Sequence, residues 1–459
     1  MKLEVVIMAA GKGTRMKSRL PKVLQKLAGK PLLAHVLDMV SGLQAHRVVT
    51  LTGHGADQVE EALAGRLPQQ VFARQEPQLG TGHAVMCAAP QLEGTDAADV
   101  TLILNGDVPL TSLATARRLI EASQGGRLAL LTVTLADPSG YGRILRDGEQ
   151  VLAIREHKDA SEAERLVNEV YTGMMAVPTA WLKSALPRIG NDNAQKEYYL
   201  TDLVALARED GVTVVSTLAA NEAEVLGVNS PQQLAQLERL HQLAIAEQLM
   251  VQGVRLADPA RLDVRGALSC GQDVEIDVGC VFEGSVQIGD DVVVGAHCVI
   301  RDALIGPGAR IAPFTHIDGA QVGEGSLIGP FARLRPGARL DKDVHIGNFV
   351  EVKNSHMAEG AKANHLAYLG DAEVGPRVNY GAGAITANYD GANKHKTVIG
   401  ADAHIGSNCV LVAPVSIGAG GTVGAGSTVS KDTPPGGLTV ARARQAHLAA
   451  WSRPVKTKK

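Results

Sequence analysis

Residues 399–429 read IGADAHIGSNCVLVAPVSIGAGGTVGAGSTV, with an apolar side chain at every sixth position: Ile399, Ile405, Leu411, Ile417, Val423 and Val429. Gly400, Gly406, Gly418 and Gly424 follow four of them directly. A period of six fits neither a helix, at about 3.6, nor an alternating strand, at about 2. It is the hexapeptide period of a β-helix. Successive side chains of a strand alternate faces, so the residue two before each apolar one also points inward. Those positions hold Thr397, Ala403, Cys409, Val415, Gly421 and Ser427, small enough to sit beside a large aliphatic group in a narrow coil.

The same phase runs upstream through Val264, Cys270, Ile276, Phe282, Ile288, Val294 and Ile300. After one-residue slips it resumes at Ile305, Ile311 and Ile317, and again from Val322 to Val352. Residues 264–429 are therefore expected to form a stacked solenoid. Its period fails between Lys353 and Glu373 and between Gly383 and Lys396, where the chain reads NSHMAEGAKANHLAYLG and AITANYDGANKHK. Function concentrates in loops held by a rigid scaffold, so both breaks are candidate sites.

A chain of 459 residues needs two or three cores, so the solenoid is not the whole fold. A net charge of −3 argues against a nucleic-acid partner. The cysteines form no CxxC pair. Cys270, Cys280, Cys298 and Cys409 fall on inward solenoid positions and read as packing thiols, which with Cys87 suits a reducing cytoplasm. No apolar run approaches the roughly 20 residues of a membrane span. Val5 to Ala10 is too short for a signal peptide and reads as a strand.

In the N-terminal half, strands are expected over Leu3 to Ala10, Arg47 to Thr52, Val71 to Arg74 and Val100 to Leu104. Helices are expected over Leu32 to Val40 and Thr111 to Ala122. This alternation argues a mostly parallel α/β sheet, which binds ligands beyond the carboxyl ends of its strands. Two stretches lie at that edge. In MAAGKGTRM (8–16), Gly11 and Gly13 let backbone N–H groups form an anion nest, while Lys12, Arg15 and Lys22 add positive charge. It is neither a P-loop, since Gly13 follows Lys12, nor GxGxxG, since Met16 replaces the third glycine. A plain turn with solvated bases is the alternative. In NGDVPL (105–110), Asp107 can hold Mg²⁺ against phosphate oxygens, or simply cap a turn.

Taken together, MAAGKGTRM…LPKVL, QLGTGHA (78–84), NGDVPL, GYGRI (140–144), REHKDA (155–160) and GVN (227–229) resemble, in order, the sugar-nucleotide pyrophosphorylases. With the solenoid behind them, the chain resembles the bacterial bifunctional N-acetylglucosamine-1-phosphate uridyltransferase/glucosamine-1-phosphate acetyltransferase family from Val5 to about Pro454. The resemblance implies a Rossmann-like α/β nucleotidyltransferase (1–229), a linker helix (230–250) and a left-handed parallel β-helix acetyltransferase (251–459). It further implies a cytoplasmic homotrimer serving cell-wall, peptidoglycan and lipopolysaccharide synthesis. Its substrates would be glucosamine 1-phosphate, N-acetylglucosamine 1-phosphate, UTP and acetyl-CoA.

For uridylyl transfer, the resemblance places Met8, Ala9, Ala10, Gly11, Gln75, Gly80 and Thr81 against uracil and ribose. Asp107 and Asn229 would bind Mg²⁺, with Arg15 and Lys22 as catalytic cations. Asn105, Gly106, Gly142, Glu156 and Tyr171 would line the sugar-nucleotide site. Positioning and charge neutralisation are the main needs of such a transfer. Asn105 stands where the family usually has Tyr, and Tyr171 where it usually has an Asn that touches the sugar.

Ser230-Pro231-Gln232-Gln233 carries capping-box signals and opens a helix of about twenty residues read as a spacer. Beyond it, a lone His365 is more often structural than catalytic. It lies, however, in a period break flanked by Arg335, Lys353 and Tyr368, and acyl transfer to an amine needs a base near neutral pH. The resemblance makes His365 that base. Arg335, Lys353 and Lys394 would hold the phosphate, and Tyr368 and Asn379 the sugar. Ala382, Asn388, Tyr389, Ser407, Ala425 and Arg442 would meet acetyl-CoA, with Ser407 and the Ala382 amide as oxyanion donors. Glu351 is expected to orient His365. The tail Pro454–Lys459 reads as a solvated end.

Three other functions compete. A non-catalytic, oligomerising solenoid predicts unbroken coils. A carbonic anhydrase-like metal site needs a close histidine pair, and His297, His316, His345, His356, His365 and His404 show no HxxxxH spacing. A binding module without turnover needs neither Asp107 with Asn229 nor His365 with Tyr368.

Overall fold

A computed structural model describes residues 2–456; the last three residues of the Pro454–Lys459 tail lie outside them. The chain forms two compact units, Met1–His241 and Gln242–Lys459. The first is built on nine strands: β1 (Leu3–Met8), β2 (Arg47–Thr52), β3 (Gln70–Arg74), β4 (Val100–Asn105), β5 (Leu128–Thr134), β6 (Gly142–Asp147), β7 (Gln150–Arg155), β8 (Glu169–Pro178) and β9 (Val214–Leu218). Their order is β9-β5-β8-β4-β1-β2-β3, with β6 joining β8 to β7. The sheet is parallel except around β8, which runs antiparallel to β4, β5 and β6, and along the β6–β7 hairpin.

Both faces of the sheet are covered. Val5 and Ile7 pack with the helix Leu32–Ser41, whereas Val6 packs on the opposite side with the helix Thr81–Ala88. A strand buried on both faces reads as a continuous apolar run, which is why Leu3–Met8 shows no alternation. Met8 pairs with Asn105 across β1 and β4, so the glycine-rich loop and the Asp107 loop leave neighbouring strand ends side by side.

In the second unit the inward positions are closed as the period requires: Ile399, Ile405, Leu411, Ile417, Val423 and Val429 are all buried. Cys280, Cys298 and Cys409 are buried free thiols, while Cys270 is only partly covered. Parallel strands stack into three faces. One holds Lys362–His365, Asn379–Tyr380 and His404–Ile405; a second holds Glu351–Lys353, Tyr368–Gly370 and Ile385–Ala387; a third holds His356–Met357, Ala372–Val374 and Thr397–Ile399.

The expected break between Lys353 and Glu373 is not one. Met357, Ala363, Leu369 and Val374 are buried, and the strands continue in register coil to coil. The apolar phase merely slips there by one residue at two corners, and Ala363 is too small to be read as the large inward residue. The second break is real. Val374 pairs with Ile399, a coil of 25 residues, where Ile399 to Ile417 takes 18. The surplus leaves the solenoid as the loop Asn388–Lys396.

The connecting helix spans Pro231–Val251. Ser230 Oγ accepts from the Gln233 amide at 3.3 Å, and Gln233 Oε1 accepts from the Asn229 N–H at 2.8 Å, so the capping signals act as read, one residue out of step.

Candidate active sites

In the first unit, three distant segments meet at the carboxyl edge of the sheet. Gly13 has φ +57, and a Cβ there would stand 2.7 Å from Lys22 Cβ. Glycine at 13 thus lets Lys22 pass under the loop. The Lys22 ammonium is ion-paired with Asp107 and lies 3.1 Å from Asn229 Oδ1. The Val228 N–H donates to Asp107 O at 3.0 Å, which brings GVN to NGD across more than a hundred residues. A carboxylate and an amide oxygen thus already share one cation. Both are hard oxygen donors, and two protein ligands leave room for phosphate and water, so the pair fits Mg²⁺.

Beside this triad is a cleft of about 480 Å³ lined by Met8 to Lys12, Lys22, Gln75, Gly80, Thr81, Asn105 and Asp107. Gln75 Nε2 donates to Gly80 O at 2.9 Å and fixes the turn that delivers Thr81. Gly106 pins its N–H to Met8 O at 2.9 Å. Arg15 is exposed and does not line this cleft.

A smaller cavity of about 200 Å³ shares Met8, Thr81 and Asn105 with the cleft and adds Gly142, Glu156, Tyr171 and Thr201. Burial pushes the Glu156 carboxyl above its ordinary range, while Thr201 donates to it at 3.2 Å. Tyr171 is 7% exposed, and its Oη is buried with no hydrogen-bond partner. Burial raises its phenol well above the usual value, with Glu156 adding to the effect. Asn105 Nδ2 donates to Thr172 O at 3.3 Å, in space kept free because a Cβ on Gly173 would lie 2.4 Å from that nitrogen.

In the second unit, one corner of the solenoid carries a column of stacked residues. Leu366 N–H donates to Asn348 O, Gly383 N–H to His365 O, Asn408 N–H to Ala382 O and Gly426 N–H to Ser407 O. Asn348, His365, Ala382, Ser407 and Ala425 are therefore rungs of one ladder. From His365 to Ala425 it spans three rungs, roughly 14 Å. Arg442 donates to Ala425 O at its far end.

On the adjoining face, Arg335, Lys353 and Tyr368 occupy successive coils. Arg335 donates to Glu351 at 2.8 Å and Arg333 reaches the same carboxylate at 3.5 Å; that contact raises the Arg335 guanidinium further. Asp371 accepts from Lys353 at 3.4 Å, from Asn354 at 2.6 Å and from the Asn388 amide. Lys394 lies 4.2 Å over the Tyr389 ring within the protruding loop. Asn379 stands apart. It pairs with Lys362 on the other face, three residues, roughly 10 Å, back from the corner.

The orienting role expected of Glu351 is not found. Glu351 is held by arginines, and the partner of His365 Nδ1 is Asn348 Oδ1 at 3.0 Å. Asn348, Asp371 and the aromatic column beside the corner were missed. In that column His297, Phe314, Phe331 and Phe349 stack at centroid distances of 5.2, 5.0 and 5.4 Å. Their φ values of 56–60° are unusual for bulky residues. A search for exposed aromatics at the 17- or 18-residue coil spacing would have found them.

Residues 5–191 match the MobA-like NTP transferase domain, 264–357 the GMPPB C-terminal domain, and 396–431 six repeats of the bacterial transferase hexapeptide. The bifunctional protein GlmU of Methylibium petroleiphilum is 67% identical over 460 residues, covering 99% of each chain. Those of Acidovorax sp. (strain JS42) and Paracidovorax citrulli are each 63% identical, covering 100% of this chain and 99% of theirs. With both kinds of domain present and such identity from end to end, the chain belongs to the family of the bifunctional protein GlmU.

Proposed function

We propose a division of labour for this bifunctional transferase, which makes UDP-N-acetylglucosamine by acetyl transfer and uridylyl transfer. Residues 251–459 acetylate glucosamine 1-phosphate, and residues 1–229 then join N-acetylglucosamine 1-phosphate to UTP, with 230–250 as linker. The convergence of Lys22, Asp107 and Asn229 beside two joined cavities supports the reading most directly.

In uridylyl transfer, a phosphate oxygen of the sugar 1-phosphate bonds to the α-phosphorus of UTP as the bond to the β-phosphate breaks and pyrophosphate leaves. Met8 to Gly11, Gln75, Gly80 and Thr81 bind the nucleoside, while Gly142, Glu156 and Tyr171 bind the sugar. Lys22, in the cleft, offsets developing phosphate charge, with Arg15 adding positive charge from its exposed position beside the glycine-rich loop. Mg²⁺ held by Asp107 and Asn229 would neutralise phosphate oxygens.

In acetyl transfer, His365 takes a proton from the 2-amino group as nitrogen bonds to the thioester carbon. The Ser407 hydroxyl and Ala382 N–H hold the oxyanion, and the departing thiolate of coenzyme A receives a proton. The ladder Ala382–Ser407–Ala425 suits an extended ligand arm, because its small rungs leave backbone groups accessible. Arg335, Lys353 and Lys394 hold the sugar's phosphate, with Tyr368 and Asn379 at the ring, Asn388 and Tyr389 toward coenzyme A, and Arg442 at the far end.

We infer that the active form is a cytoplasmic homotrimer. Asn379 lies on a different face from Arg335, Lys353 and Tyr368, so a second copy completes the site more readily than one chain does. The exposed phenylalanine column beside the same corner gives that copy an apolar surface. Among the described residues no helix is long and apolar enough to cross a membrane.

The test supplies glucosamine 1-phosphate, acetyl-CoA, UTP and Mg²⁺ together. Asp107→Ala should accumulate N-acetylglucosamine 1-phosphate, and His365→Ala should form UDP-N-acetylglucosamine only when that intermediate is supplied. Loss of both steps from either folded variant would refute the division.

A further inference from the structure

We propose that Asn348 is the positioning residue that makes His365 a base: its side-chain oxygen holds the proton of His365 on Nδ1 and leaves Nε2 unprotonated. This rests on His365 being the base of acetyl transfer.

The geometry is fixed from both sides. Asn348 and His365 are register partners on adjacent coils, and Leu366 N–H donates to Asn348 O at 3.1 Å, so the two Cα atoms cannot slide past one another. Across that rung Asn348 Oδ1 lies 3.0 Å from His365 Nδ1. The next rung is Ala382, followed by Ser407 and Ala425. The imidazole is thus flanked by an amide oxygen on one side and by the small-residue track on the other.

An amide oxygen can only accept. Facing Nδ1, it requires a proton there, and a neutral imidazole carries one proton, so Nε2 keeps its lone pair. When Nε2 takes the amine proton, the Nδ1–H···O bond persists and no second proton need move. A reversed amide would have the opposite effect: its N–H would donate to Nδ1, placing the ring proton on Nε2 and leaving no base.

Among the described residues, Asn348 is the hydrogen-bond partner of Nδ1. Glu351, the carboxylate expected there from the sequence, is bound to Arg333 and Arg335. Orientation therefore comes from a neutral group, which selects a tautomer without adding a charge beside the incoming sugar phosphate.

The decisive measurement is ¹⁵N NMR of the full-length protein labelled at histidine, with His365 assigned by its loss in His365→Ala. The expected signature is a protonated Nδ1 and a bare Nε2; a protonated Nε2 would overturn the proposal without any mutation of Asn348. In parallel, Asn348→Ala should lower kcat for thiol release by tenfold or more, with both KM values within twofold of wild type. Asn348→Asp, which retains an acceptor oxygen, should restore most of that rate. Unshifted resonances of the other solenoid histidines, His297, His316, His345, His356 and His404, show that the variants are folded. Full kcat in Asn348→Ala refutes the role of Asn348 alone, whereas full kcat in His365→Ala refutes the underlying assignment of the base.

Discussion

The ammonium of Lys22 is ion-paired with the carboxylate of Asp107, with only 12% and 18% of the two side chains exposed. Asn229 Oδ1 is the lysine's second partner, at 3.1 Å. The protein's own cation shares the two oxygens that would hold Mg²⁺, and the ion would supply charge neutralisation to phosphate oxygens there alongside Lys22. Chelation is therefore expected to stop uridylyl transfer and leave thiol release from acetyl-CoA unchanged. Asp107→Ala should lower uridylyl transfer roughly a hundredfold or more. Both are read by separate assays for pyrophosphate and free thiol.

Tyr171 places a hydroxyl in the smaller cavity with no partner. An unmet buried polar group costs about 1–3 kcal/mol, a cost a ligand can remove. Tyr171→Phe should therefore raise the melting temperature while raising KM for N-acetylglucosamine 1-phosphate about tenfold and leaving KM for UTP alone. Thermal unfolding and initial rates on one preparation check both signs.

Glu351 braces Arg335, a proposed phosphate ligand, and does not touch His365. Glu351→Gln is accordingly expected to raise KM for glucosamine 1-phosphate severalfold with kcat little changed. A selective fall in kcat would restore the carboxylate to the base.

Phe314, Phe331 and Phe349 are 51%, 48% and 56% exposed although stacked on one another. If that column meets a second copy, Phe331→Glu should dissociate the oligomer in light scattering. It should remove thiol release and leave uridylyl transfer in place.

How far the sequence carried depended on the kind of residue. Inward positions such as Ile399 and Ile405 were legible because a coil admits one apolar side chain per six residues. Met8 to Gly11, Asp107 and Asn229 were legible as motifs, but only the fold joins Val228 to Asp107. The reverse happened at Ala363, where a small inward residue looked like a broken coil. Asn348 was invisible because its role depends on lying one rung from His365, 17 residues away, and slips at the corners obscure which residues share a rung. Glu351 shares a face with Lys353, as its place on the same strand implies, but its carboxylate turns to Arg333 and Arg335 while His365 sits at the corner opposite Asn348.

The role of His365 is tested most directly by thiol release from acetyl-CoA in the presence of glucosamine 1-phosphate, comparing wild type with His365→Ala. Wild type should release thiol rapidly, and the substitution should reduce that release by roughly a hundredfold or more with uridylyl transfer intact. Equal release from the two folded proteins would contradict that role.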